Sequence, residues 1–103
     1  MKFVFAYHGG GMPESEEQMQ AVMAAWQSWM ESHSSAFLDI GNPIGPSATV
    51  GSDGAVSDGG GANPLSGYSL VEAADLNAAA EIAKACPILG AGGSVEIGQT
   101  VDM

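Results

Sequence analysis

The chain has 103 residues, 46% hydrophobic and 14% charged, which predicts one folded domain over residues 1–103 and excludes a disordered chain. Two basic residues, Lys2 and Lys84, against twelve acidic ones leave a formal charge of −10, so a nucleic-acid backbone or an anionic membrane is repelled. A lone cysteine, Cys86, excludes an internal disulfide, and no apolar stretch suits a leader or a membrane span, so a cytoplasmic location is expected.

Phe3 to Tyr7 opens the chain as a strand, with Phe3, Phe5 and Tyr7 on one face and Val4, Ala6 and His8 on the other. Both faces are largely apolar, so both need cover. Pro13 suits a first helical turn and Glu14, Glu16 and Glu17 suit a helix N-terminus, predicting a helix from about Pro13 to Ser32. Its apolar stripe is Met19, Val22, Met23, Trp26 and Met30, with Trp29 beside it.

Ala36 to Ile40 reads as a short second strand, and "GNPIGPS" after it breaks regular structure. Asp53-Gly54 sits between Thr49-Val50 and Ala55-Val56 as a hairpin turn. A long glycine-rich loop follows, then a strand from Tyr68 to Ala73. Asp75 caps a second, alanine-rich helix that Pro87 stops, and Val95 and Ile97 mark a last strand.

The order strand, helix, strand with hairpin, strand, helix, strand predicts an α+β, ferredoxin-like subunit with two helices on one face of an antiparallel sheet. The other sheet face is left bare. A bare apolar face on a small domain predicts a partner, most simply a homodimer.

The stretch "YHGGGMPESEE" suggests a phosphate cradle, an oxyanion loop or a plain turn beside a small-molecule pocket. A phosphate cradle lacks the lysine and Ser/Thr of a Walker loop, and its three glutamates repel phosphate. An oxyanion loop needs a G-x-S-x-G elbow that is absent. A metal site fails on spacing, since His8, His33 and Cys86 are scattered, and neither metal nor nucleotide cofactor is expected. A strand end and flexible turn remains, bringing His8 to the rim of a cavity. His8 is either satisfied by a loop carbonyl or a proton-transfer group. Asp39, the carboxylate in "AFLDIGNP", is either bonded to the backbone of Gly41 or the partner of His8. Ser66 and Tyr68 are candidate ligand-binding hydroxyls.

The segments "MKFVFAYHGG", "FLDIGNPIGPSATV", "DGAVSDGG", "NPLSGYSLVEAADLNAAAEIAKACP" and "GGSVEIGQ", in that order, resemble the YCII-related (DGPF-type) family. Asp58-Gly59 stands where that family often shows Asp-Gly-Pro-Phe, with glycines replacing the Pro-Phe. The resemblance implies a dimeric α/β-barrel, in which two subunit sheets face each other. It also implies a His–Asp pair at the active site, for which His8 and Asp39 are the matching positions, and relatives that include muconolactone isomerase-like and dehalogenating enzymes. Two functions follow as expectations. One is an enzyme that moves a proton on a small organic molecule in isomerase, lyase or lactone chemistry. The other is a non-catalytic dimer that binds a small ligand or supports another protein.

Overall fold

The computed structural model describes residues 1–11 and 13–103; Met12 lies outside the described residues. In chain order the elements are β1 (Lys2–His8), α1 (Glu16–Ser32), β2 (Phe37–Asp39), β3 (Ala48–Val50), β4 (Val56–Asp58), β5 (Leu65–Glu72), α2 (Leu76–Ala83), a short 3-10 helix (Pro87–Ala91) and β6 (Ser94–Gln99). Four strands form one sheet in the order β2-β5-β1-β6, every pairing antiparallel. Strands β3 and β4 form a separate hairpin. With both helices on one face, this is the α+β, ferredoxin-like arrangement.

The alternation in β1 decides where the core lies. Phe3, Phe5 and Tyr7 point to the helices and are buried, together with Val71 of β5, Ala79 and Ala83 of α2, and Trp29. Ala79 and Ala83 are four apart on one helical face, so they bring the α2 backbone close to the sheet. Trp29 closes the layer from α1, and its indole N–H donates to the Ile82 carbonyl at 3.0 Å, at the end of α2. Behind the sheet Val4 remains 36% exposed, and among the described residues no element covers it.

Two expectations about α1 need correction. The helix begins at Glu16, with Ser15 as N-cap accepting from the Gln18 N–H at 3.1 Å. The Gln18 side chain reaches back past the cap to accept from the Glu14 N–H at 2.9 Å, so Pro13 lies outside the first turn. The apolar stripe is also not core along its length: Met19, Val22 and Met23 are 47%, 42% and 64% exposed, and Trp29 is the buried residue. The N-terminal half of α1 stands off the sheet and leaves a groove beneath it.

The last β-strand expectations hold with longer bounds: β5 begins three residues before Tyr68. Among the described residues no helix is long and apolar enough to cross a membrane.

Candidate functional site

The groove lies between α1, the 40–43 segment and the start of β5, over the side chain of Tyr7, and encloses about 890 Å³. Met23, Trp26 and Met30 form its helix wall, Phe37 and Pro43 its other side. A second hollow of about 670 Å³ beside Gly9, Gly10 and Gly11 shares Val22, Trp26, Pro43, Ser66 and Ile88 with the first, so the two make one continuous groove along α1. The wall is rigid because its aromatics interlock edge to face: Tyr7 with Trp26 at 5.1 Å, Trp26 with Trp29 at 5.6 Å, and Trp29 with Phe37 at 5.2 Å between ring centres. Among the described residues no lysine, arginine or histidine lines it; Glu31 is its charged group.

One buried polar chain supports the groove. Tyr7 donates its hydroxyl proton to Ser69 Oγ at 2.8 Å, and Ser69 donates to the Ile40 carbonyl at 2.7 Å. The order is dictated by proton count, since a carbonyl only accepts and each hydroxyl has one proton. The Tyr7 oxygen is therefore left with lone pairs alone. Burial pushes the Tyr7 phenol up to about 12, opposed by the Ser69 hydrogen bond and assisted by nearby Cys86. Burial likewise pushes the Cys86 thiol up to about 11.

His8 lies on the opposite face of β1, and it lines neither hollow. Strand alternation sends Tyr7 to the groove and its neighbour to the other face of the sheet. The ring is nonetheless buried, because the strap at Asn63 and Pro64 folds over it. Nδ1 donates to the Asn63 carbonyl at 3.0 Å, with the Pro64 carbonyl at 3.3 Å, and Nε2 lies 3.0 Å from Glu96 Oε1. Glu96 sits diagonally across the β1–β6 ladder, where Ala6 pairs with Glu96 and His8 with Ser94. A diagonal of that kind is within reach of a long side chain.

A model of the YCII-related domain matches residues 1–103. The chain belongs to the YCII-related family. The YCII-related fold is also similar to a solved structure: 5-chloro-2-hydroxyhydroquinone dehydrochlorinase (TftG) from Burkholderia phenoliruptrix AC1100, in complex with 2,5-dihydroxybenzoquinone. The two share 16% identity with a TM-score of 0.58, over 98% of this chain and 94% of that one, which is a likeness of fold. No curated protein matches this chain.

Against that family's His–Asp expectation, this YCII-related chain keeps its own His8 and Asp39 apart. Asp39 is exposed and its Oδ1 accepts from the Gly41 N–H at 2.8 Å, a local turn. It aligns with Leu70 of β5, which aligns with Val4, four residues before His8. With β5 intervening, the two lie about 13 Å apart along the strands and about 10 Å across them. A direct pair requires Asp39 from a second subunit or a rearranged 37–47 segment.

Ser66 and Tyr68 both border the groove. Ser66 is the extra residue of a bulge, where Tyr7 pairs with Gly67 and His8 with Leu65, and its Oγ donates to the Gly9 carbonyl at 2.6 Å. Tyr68 contributes backbone there: it alternates with inward-facing Ser69 and pairs with Ala6, so its ring belongs to the bare face. The sequence reading missed three groups. Glu96 was signalled only by its polar position in "SVEIG", Ser69 by a hydroxyl in an apolar strand, and Trp26 by a helical stripe that reads equally as core. Among the described residues no group of three His, Cys, Asp or Glu side chains gathers to hold a metal.

Proposed function

We propose that this YCII-related protein binds a neutral, hydroxylated ring compound in the groove beneath α1. The single observation that carries the reading is the composition of the groove: aromatic and thioether walls, no cationic group among the described residues, and the Tyr7 oxygen as an acceptor. Flat rings stack on such walls, and a ligand hydroxyl can donate to Tyr7. A carboxylate has no counter-ion there and meets Glu31. The fold-level neighbour, solved with 2,5-dihydroxybenzoquinone, supports a ring-sized organic ligand. Non-catalytic binding is favoured because His8 and Asp39 are each satisfied by separate hydrogen bonds.

Trp26 makes the test direct. Titration with benzene-1,2,4-triol should quench tryptophan fluorescence saturably, and benzoate should not. Tyr7→Phe should weaken the triol by about fivefold to tenfold, the equivalent of one hydrogen bond of about 1 kcal/mol. Absence of saturable quenching by the triol, or preference for benzoate, rejects the reading.

A second reading places proton transfer at His8, favoured by the contact of Nε2 with Glu96, whose side chain is 73% exposed and free to swing aside for a substrate. On that reading His8→Ala lowers the rate on any substrate found by roughly a hundredfold or more, and an unchanged rate excludes it.

The assembly that suits either reading is a homodimer closed through the bare sheet face, where Val4, Ala6 and Leu70 share one side of the ladder. Light scattering should report the dimer at micromolar protein, and a monomer there excludes it.

A further inference from the structure

The β3–β4 hairpin is set apart from everything else in the chain. Neither strand joins the main sheet. Among the described residues its hydrogen bonds close within residues 47–59: Gly51 and Gly54 tie the turn, Gly59 N–H reaches the Ser47 carbonyl, and Thr49 Oγ1 reaches the Gly59 carbonyl. A two-stranded hairpin standing alone is at best marginally stable in water.

Its two faces differ in chemistry. Thr49 pairs with Ser57 on one side, while Val50 pairs with Val56 on the other, next to Ala48. The two valines are 66% and 68% exposed. An amphipathic hairpin whose apolar side meets only solvent is half of a packed unit.

The surface of the whole chain says what size the other half has. A monomer of 10.4 kDa is expected to expose about 5,400 Å², whereas this chain exposes 6920 Å². The excess, about 1,500 Å², is what a subunit of an obligate dimer withdraws from water. The radius of gyration of 14.8 Å likewise exceeds the value of about 13 Å expected for this length. From Ser47 to the turn at Asp53 the arm reaches about 20 Å at 3.3 Å per residue. A surface of net charge −10 disfavours association with a like copy except through uncharged patches, and the valine pair is one.

We infer that residues 48–58 form an arm that lays its Val50–Val56 face on a second copy of this chain, the two arms being exchanged about the dimer axis. The inference rests on the homodimer proposed above and adds a second, peripheral contact to it. Because the arm makes no contribution to the core, the double variant V50D/V56D should keep the fold, seen as unchanged far-UV dichroism and tryptophan emission.

Sedimentation equilibrium then separates the possibilities. The expected result is a dimer for the parent and a dissociation constant at least tenfold weaker for V50D/V56D. A dimeric parent with an unchanged constant in the variant overturns the arm and leaves the dimer standing. A monomeric parent overturns both. Hydrogen exchange on the parent gives an independent check that needs no variant: amides of 48–58 should be protected at dimer concentrations and exchange freely on dilution. Free exchange at every concentration overturns the arm.

Discussion

His8 Nε2 lies 3.0 Å from Glu96 Oε1 while Nδ1 of the same ring donates to the Asn63 carbonyl, so one imidazole joins the end of β1 to both β6 and the 59–64 strap. The two ends are not equal. His8 is buried, whereas the Glu96 side chain is 73% exposed and its contact with the ring competes with solvent. Glu96→Gln should therefore change stability by less than about 1 kcal/mol. His8→Ala strands the strap carbonyls and should cost about 1–3 kcal/mol. Urea unfolding of both variants checks this, and equal losses would show that the Glu96 contact carries the stabilisation.

Tyr7 gives a prediction at alkaline pH. Unfolded, the phenol ionises near 10.0; folded, it is pushed up to about 12, so the folded state holds its proton more tightly. That stabilisation is complete below pH 10 and is lost as pH climbs toward about 12. The urea midpoint of the parent should fall across this interval more steeply than that of Tyr7→Phe. Parallel curves for the two proteins would contradict it.

Gly41 should resist substitution. Its φ is +76°, and a Cβ there would overlap the carbonyl of Tyr68 in the neighbouring strand. Gly41→Ala combines that collision with an unfavourable left-handed backbone, and should cost at least about 2 kcal/mol. Gly54, also at positive φ but with open space around it, is the control, and its alanine variant should lose less. A melting point for Gly41→Ala equal to or above that of Gly54→Ala would refute the account.

Cys86 is buried at 3% exposure with its thiol pushed up to about 11, so thiolate is scarce at neutral pH. Its reaction with an aromatic disulfide reagent should follow unfolding, accelerating with urea in step with loss of structure. Rapid stoichiometric labelling of the native protein would contradict this.

The local patterns were legible. Alternating aromatics in Phe3 to Tyr7 mark a strand because side chains alternate at a period of two, and Asp75 caps α2 as a short carboxylate before a helix does, accepting from the Ala78 N–H at 2.8 Å. The turn bond from Asp39 to Gly41 and the loop carbonyl on His8 were likewise within reach, being the short-range options open to those residues. The start of α1 was also written locally, in Ser15 and Gln18, and was obscured by Pro13, which satisfies a first-turn preference as well.

Element order and the two alternating faces of the first strand are therefore readable from the residues, because they depend on spacing along the chain. The partners of each side chain are fixed by the packed fold. Glu96 reaches His8 across 88 positions through the β1–β6 register, and a helical stripe cannot reveal that Met23 and Trp26 wall a groove instead of sealing a core, because that depends on how far α1 stands from the sheet. Register and helix offset are set by long-range packing of Trp29, Ala79 and Ala83 against Phe3 and Phe5, a cooperative property that no local window contains.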